Sequence, residues 1–300
     1  MEKVTVVITI KNEEKTLSSL LLALEQQTRL PDEVVIVDAN SSDGSQKILS
    51  QWKPSFSVKI IVQESHRSEG RNIGIRHAKH DVIAITDAGC IPDKKWLEEL
   101  LIPLLENRDV VSAGGYYPYY ETSFQFACSY FFLVPPKYIT EGFLPATRSM
   151  AFSKKTWEKV GGFQEDLASS EDYVFAKKIQ KLQIPIAVQD KATVAWSPPK
   201  TIYQFAFTIF SFARWDVLGN VFRKKVLTMY ARYAVFLLVI IISKPIGFLL
   251  FFTYLLWATF KHAQWISGKA LLYIPALQII SDHAVMIGTL YGVLEKYKFL

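Results

Sequence analysis

The chain has 300 residues, half of them apolar and 14% aromatic, with 34 Lys+Arg against 28 Asp+Glu. That length allows one or two domains with a sizeable core, and the apolar share excludes a disordered chain. Two cysteines, Cys90 and Cys128, exclude a disulfide framework and point to a reducing compartment.

The net charge of +6 is uneven. Residues 1–225 hold 28 basic and 26 acidic residues, while residues 226–300 hold 6 basic and only 2 acidic ones. The excess sits in the most apolar quarter, which reads as membrane topology and not as a nucleic-acid footprint. Met1-Glu2-Lys3 runs straight into an apolar stretch, so no signal peptide is read.

The first third alternates strand-like and helix-like segments. Val4–Ile10 is a β-branched run, and Glu13–Gln27 carries Leu17, Leu20, Leu21 and Leu24 on one helical face. Glu33–Asp38 predicts a second strand, followed by the turn Asn40–Gly44. A helix at Ser45–Trp52, a strand at Lys59–Gln63, a helix starting at Gly70–Ala78 and a strand at Asp81–Asp87 come next. Lys95–Leu105 predicts another amphipathic helix. This alternation argues for a mostly parallel sheet with helices on both faces. Ligands then sit beyond the carboxyl ends of the strands, where Asp38 and Asp87 lie.

Residues 110–145 are rich in aromatics and turns. Ala151–Phe163 and Ser170–Leu182 read as helical or helix-flanking. Lys200–Lys225 is crowded with aromatics, Phe222 among them, and fits an interfacial helix or an ordinary core helix equally well. Then come the apolar runs Met229–Ile242, Ile246–Phe260 and Ala270–Leu294, the last interrupted by Asp282-His283. The first two fall short of the ~20 residues of a full span. They fit two tilted spans, a re-entrant hairpin or one kinked helix, with a break at Lys244-Pro245. The division is 1–200 as a catalytic domain, 201–225 as an amphipathic linker and 226–300 as a membrane region of two to three helices.

The chain has no G-x-x-x-x-G-K-[ST], no G-x-G-x-x-G, no H-E-x-x-H and no zinc spacing. What remains is acids at strand ends. Asp38 suits a hydrogen bond to a base N–H or a ribose hydroxyl, or a simple turn. Asp87, beside Ala88-Gly89, suits a divalent cation bridging a diphosphate. Arg71 and Asn72 suit phosphate or ribose, with a salt bridge as the plain reading of Arg71. Glu171-Asp172 is a helix-start acid pair or a general base. Arg214-Trp215 suits a leaving diphosphate and a sugar ring, or a membrane interface.

In order, VTVVITIKNEEKTL, DEVVIVDANSSDGS, GRNIGIRHAKHDVIAITDAG, MAFSKKTWEKVGGFQEDL and SSEDYVFAKKI resemble a family 2 glycosyltransferase over roughly residues 3–200. The resemblance implies the GT-A fold and inverting transfer from a nucleotide-diphosphate sugar, with Mg²⁺ or Mn²⁺. It implies that Asn12 and Glu13 lie by the nucleotide and that Asp38 reads the base, with Asp43 the second acid of its turn. Arg71 and Asn72 match the Arg-Asn pair, Asp87 the first acid of the D-x-D motif, and Asp172 the catalytic base, with Glu171 beside it. Arg214-Trp215 resembles the end of Q-x-x-R-W. The second D-x-D acid is absent, with Asp93 as a candidate assistant, and Ser211 stands where processive members have Gln. Arg148-Ser149 stands where many members have a glycine-polar pair, and Arg148 is a candidate phosphate or acceptor contact. Trp196 occupies the place of a family His. The expected acceptor is a lipid-linked or envelope-glycan hydroxyl. A polyprenyl-phosphate glycosyltransferase and a non-catalytic scaffold are the alternatives. The expected place is the plasma or inner membrane, with the catalytic domain cytoplasmic.

Overall fold

The computed structural model describes residues 2–133, 143–221, 223–263 and 266–298. Phe222 and residues 134–142 of the aromatic stretches noted above lie outside them. The chain divides into two units, residues 1–119 with 134–197, and residues 120–133 with 198–300.

The first unit is built on strands whose β-branched runs favour a pleated, buried surface. β1 (Val4–Ile10), β2 (Glu33–Asp38), β3 (Ser57–Val62) and β4 (Val82–Ile85) form parallel pairs in the order β3-β2-β1-β4. β5 (Cys90–Pro92), β6 (Val111–Pro118), β7 (Met150–Ser153) and β8 (Ile186–Trp196) extend the sheet. β7 is antiparallel to both β4 and β6, β8 is parallel to β6, and β5 is antiparallel to β8. The sheet is therefore mixed, its parallel core lying at the N-terminal half.

Among the described residues through 197 the helices are α1 (Leu17–Glu25), α2 (Ser45–Gln51), α3 (Arg67–His77), α4 (Trp96–Glu106), α5 (Ser123–Ser129), α6 (Lys154–Val160) and α7 (Glu171–Lys181). Of these, α5 belongs to the second unit. Val7, Val35, Val37, Ile83 and Ile85 form one core cluster with Ile73 and Ile75 of α3, Val160 of α6, and Phe175 and Ile179 of α7. The alternate positions Val6, Ile8, Val34 and Ile36 are also fully buried. A strand with both faces buried needs helices on both sides.

α3 lies close on β1 because two glycines one turn apart face the sheet. A Cβ at Gly70 would crowd Thr9, and one at Gly74 would crowd Val7. α6 starts on Ser153, whose hydroxyl accepts from Thr156 N–H, and ends at Gly161 with φ 81°, where glycine relieves the left-handed strain.

One stretch is sharper than expected. Ala151–Phe163, expected as helical or helix-flanking, divides: Ala151–Ser153 belong to β7 between β4 and β6, and α6 follows directly. Their side chains are buried throughout, so the period-2 alternation that marks a half-exposed strand is absent.

In the second unit, α8 (Ile202–Leu218) is followed by α9 (Lys224–Ile242), α10 (Lys244–Ala263), a 3-10 turn (Gly268–Tyr273) and α11 (Ile274–Lys296). Lys224–Ile242, Lys244–Ala263 and Gly268–Lys296 are each long and apolar enough to cross a membrane. The first two reach 19 and 20 residues because the helices take in polar residues at their ends. Ser243 is extended and separates α9 from α10, with Pro245 in the first turn, where it lacks no helical hydrogen bond.

α11 runs unbroken through Asp282-His283. The Asp282 carboxylate is fully buried, and its Oδ2 accepts from Tyr254 Oη at 2.6 Å, Tyr233 Oη at 3.0 Å and Arg232 Nη2 at 3.0 Å. Oδ1 accepts from Gln278 at 2.9 Å. One acid thus ties α9, α10 and α11. Gly288 and Gly292 lie against the backbone carbonyls of Phe210 and Arg214, so α11 and α8 pack backbone to backbone.

Candidate active site

Asp38 closes β2, and its carboxylate is fully buried. Oδ1 accepts from Ser41 N–H at 2.9 Å and from Ser41 Oγ at 2.6 Å. Oδ2 is buried and has no protein partner. A buried carboxylate oxygen left unpaired is costly and calls for a donor from outside the protein, water or ligand.

The loop after β1 is stitched to the loop after β2. Asn12 N–H donates to Ser41 Oγ at 2.9 Å, Glu13 N–H to Ser45 Oγ at 2.9 Å and Glu14 N–H to Asp43 Oδ2 at 3.0 Å. In return Ser42 N–H donates to Asn12 Oδ1 at 2.8 Å. Asn12 and Asn40 both sit at positive φ, 58° and 59°, a conformation asparagine tolerates better than most residues. The hydrogen bond from Ser45, with those from backbone N–H groups, holds the Asp43 carboxyl below its ordinary range. Asp43 therefore acts inside the loop pair.

A second cluster forms where β4 ends. The Arg71 guanidinium, on α3, is 1% exposed. Its Nη2 donates to Asp87 Oδ1 at 2.7 Å, and its Nη1 pairs with Glu171 at the start of α7. Ser170, at φ 60°, turns the chain into that helix. Burial pushes the Asp87 carboxyl up, but Arg71, Arg67 and Arg148 outweigh it and hold it below the usual range. Burial and the neighbouring Glu171 push Asp172 the other way, up to about 6, against the opposing pull of Arg71 and Arg148. A carboxylate with such a value can hold or release a proton near neutral pH.

Arg148 precedes β7 and has no carboxylate in ion-pair contact among the described residues. Its guanidinium lies 5.1 Å from the Tyr116 ring centre and 4.6 Å from that of Trp196. β6 and β8 place those rings diagonally on one sheet face, through the pairs Tyr116↔Val194 and Pro118↔Trp196.

Three candidates are engaged internally. Asn72 Nδ2 donates to Phe163 O at 2.8 Å and Glu165 at 2.9 Å, and its Oδ1 accepts from Phe163 N–H at 3.0 Å and Trp157 Nε1 at 3.2 Å. Its amide is spent on clamping the Gly161–Phe163 turn, with no donor left for phosphate or ribose. Asp93 accepts from Tyr117 Oη at 2.7 Å and from Thr193 Oγ1, so it is turned away from assisting Asp87. Arg214 and Trp215 belong to the second unit, where Arg214 Nε and Nη2 both donate to Glu295, each at 2.7 Å. Tyr116 and Ser41 escaped the sequence reading. Ser41 lay inside a recognised turn, whereas nothing local marks Tyr116, which meets Arg148 only through sheet pairing.

Among the described residues no three His, Cys, Asp or Glu side chains group as a metal cage. The donor set still fits a Mg²⁺-like ion. Arg71 engages only one Asp87 oxygen, and such ions take one or two carboxylates and fill their shell with phosphate and water.

Residues 5–160 match Glycosyl transferase family 2. The chain belongs to that family. Among curated family relatives, it is 30% identical over 114 residues to a chondroitin synthase of Pasteurella multocida, covering 37% of this chain and 12% of that protein. It is 26% identical over 184 residues to glycosyltransferase AglE of Haloferax volcanii, covering 58% of this chain and 60% of that one. The chain thus spans only part of these relatives' lengths. Its fold is that of the mannosyltransferase PcManGT from Pyrobaculum calidifontis, whose structure holds GDP-Man and Mn²⁺. The TM-score is 0.64 at 18% identity, covering 98% of this chain and 88% of that one. The GT-A fold expected from the motif order is the fold observed.

Proposed function

We propose that this family 2 member is a membrane-anchored, inverting glycosyltransferase. It moves a sugar from a nucleotide-diphosphate sugar to a hydroxyl of a lipid-linked or envelope-glycan acceptor. The observation that carries the reading is a buried Arg71 that ties Asp87 to Glu171, with Asp87 held below the usual carboxylate range and Asp172, next to Glu171, raised. Neighbouring acids pushed in opposite directions suit different roles in one reaction.

In this reading Asp38 Oδ2 accepts a hydrogen bond from the base. β1 separates β2 from β4, so the ends of those strands stand about 10 Å apart, a span suited to base and diphosphate. The Asp172 carboxylate takes the acceptor's hydroxyl proton. The acceptor oxygen bonds to the anomeric carbon as the bond to the diphosphate oxygen breaks, and that oxygen keeps the electron pair. Attack from the face opposite the leaving group inverts the centre. Arg71 holds Glu171 and Asp87 in place throughout. Asp87 would hold a divalent ion, Mg²⁺ or Mn²⁺, which when bound neutralises diphosphate charge. GDP-Man with Mn²⁺ in PcManGT supports the donor class.

The three long apolar helices support membrane anchoring, and Arg223-Lys224-Lys225 at the start of α9 supports a cytoplasmic catalytic domain by the positive-inside tendency. The division into a catalytic domain at 1–200, a linker at 201–225 and a membrane region at 226–300 belongs to the same proposal.

The test is a binding screen of UDP-, GDP- and dTDP-sugars with and without Mn²⁺, followed by transfer assays on polyprenyl-diphosphate sugars and on polyprenyl phosphate. Asp172→Asn is expected to bind donor and lose transfer. Full transfer by that variant sinks the assignment, and transfer to polyprenyl phosphate alone replaces the hydroxyl acceptor with a phosphate.

A further inference from the structure

We infer that Arg148 is the residue that grips the donor's diphosphate and sets the enzyme's preference for a nucleoside diphosphate over a monophosphate. This rests on the nucleotide site proposed above and adds a residue that the motifs leave open.

Three observations carry it. First, both Nη atoms of Arg71 are engaged, one by Glu171 and one by Asp87, so its forked end is turned to carboxylates and only its buried Nε lacks a partner. Second, Arg148 is held by aromatic faces, with Tyr116 on one ring contact and Trp196 on the other. A guanidinium held by these rings and by the Tyr116 hydroxyl keeps its charge, which a carboxylate partner would neutralise, and keeps its remaining N–H groups for an oxyanion. Its Nε is buried with no hydrogen-bond partner. Third, β7 runs antiparallel to β4 with Met150 opposite Ile85, so Arg148, two residues before Met150, lies on the side of Asp87, two residues past Ile85, at the reacting end and not at the Asp38 end.

Its mounting is rigid. Trp96 Nε1 donates to Ser149 Oγ at 2.9 Å, and that hydroxyl donates to Ala192 O at 2.9 Å, pinning the residue next to Arg148 onto β8. Gly114 leaves the room this needs, since a Cβ there would collide with Ser149 and the Ala192 carbonyl. A donor arriving with its base at Asp38 brings its phosphates toward this cation. As the anomeric bond breaks, the departing oxygen gains a negative charge that the same N–H fork can take. The missing second acid of the D-x-D motif leaves less metal-binding capacity on the protein, which raises the share of diphosphate charge that a side chain must meet.

The experiment is calorimetric titration of the full-length protein in detergent with UDP or GDP, the matching monophosphate and the matching nucleoside. Wild type, Arg148→Ala, Arg148→Lys and Trp196→Leu are compared. Arg148→Ala is expected to weaken diphosphate binding roughly 10- to 100-fold, with monophosphate and nucleoside binding held within about threefold. Arg148→Lys recovers part of the loss, and Trp196→Leu, which frees the guanidinium without removing it, loses less than Arg148→Ala. Melting temperatures of the four proteins separate misfolding from lost contact, and Arg148→Lys carries the test should the alanine variant fail to fold. Unchanged diphosphate affinity in Arg148→Ala overturns the inference, as does an equal loss for all three ligands. Loss of binding to a short polyprenyl phosphate with diphosphate binding intact also overturns it, by moving Arg148 to the acceptor. A wild-type protein that binds no nucleotide overturns the underlying site instead, which keeps the two failures apart.

Discussion

Arg71 and Glu171, one hundred residues apart in sequence, form a buried ion pair in which both side chains are almost wholly hidden from solvent. The second Nη of the same guanidinium reaches Asp87. One cation therefore sets the position of two acids, and its loss strands the more buried of them.

Arg71→Ala leaves Glu171 in a closed site without its counter-charge. The expected cost is about 3–5 kcal/mol of stability, the range for breaking a buried pair by removing one partner. Chemical denaturation of the variant measures it. Arg71→Lys retains a charge but cannot fork to two carboxylates, and it should fall between wild type and alanine.

Asp172 gives a pH signature with a defined sign. Its folded value of about 6 lies above the ordinary 3.8, so the fold favours the protonated form. The stability that protonation contributes is complete below about 4 and is lost as pH rises through about 6. Activity runs the opposite way, because the base must be ionised, and kcat should climb across the same window. Asp172→Asn should abolish transfer and melt higher than wild type at pH 8, by on the order of 1–2 kcal/mol. The gain should vanish near pH 4. Melting curves at the two pH values decide it, and equal differences at both would remove the role assigned to ionisation.

Asp38 presents one satisfied oxygen and one orphan. Asp38→Ala should weaken nucleoside binding by about 1–3 kcal/mol, or roughly fivefold to 150-fold, with the loss the same for nucleoside and nucleoside diphosphate. That equality contrasts with the pattern expected of Arg148 and is read in the same titrations.

In the second unit, Asp282→Ala removes the acceptor shared by Arg232, Tyr233, Tyr254 and Gln278. The stranded Arg232 should cost about 3 kcal/mol. The double variant Asp282→Leu with Arg232→Met removes both charges and should recover much of the loss. Thermal melts in one detergent compare the three proteins, and a double variant no better than the single one would show that the pair matters for more than charge balance.

The legible parts of the chain were those written locally. β1 and β2 were bounded correctly because each is a continuous β-branched run closed by a turn. The break between α9 and α10 was visible in Ser243-Lys244-Pro245. β7 was not, because a four-residue strand buried on both faces has no alternation to read. Its role depends on residues 82–85 and 112–113, far away in the chain. Among site residues, the carboxylates at strand ends announced themselves, whereas their partners did not. That Asn72 is consumed by Phe163, and Arg214 by Glu295, depends on contacts 91 and 81 residues distant. Tyr116 stood among four neighbouring aromatic or proline residues with nothing to single it out until β6 and β8 paired.

The stitched loops after β1 and β2 carry a consequence for how a ligand is received. Their backbone N–H groups are already spent on Ser41, Ser45 and Asp43 before any ligand arrives. The ordering entropy of this lip is therefore charged to folding and not to association. A molecule docking at Asp38 meets a finished contour, and its affinity reports the contacts it makes, undiluted by the work of shaping the protein around it.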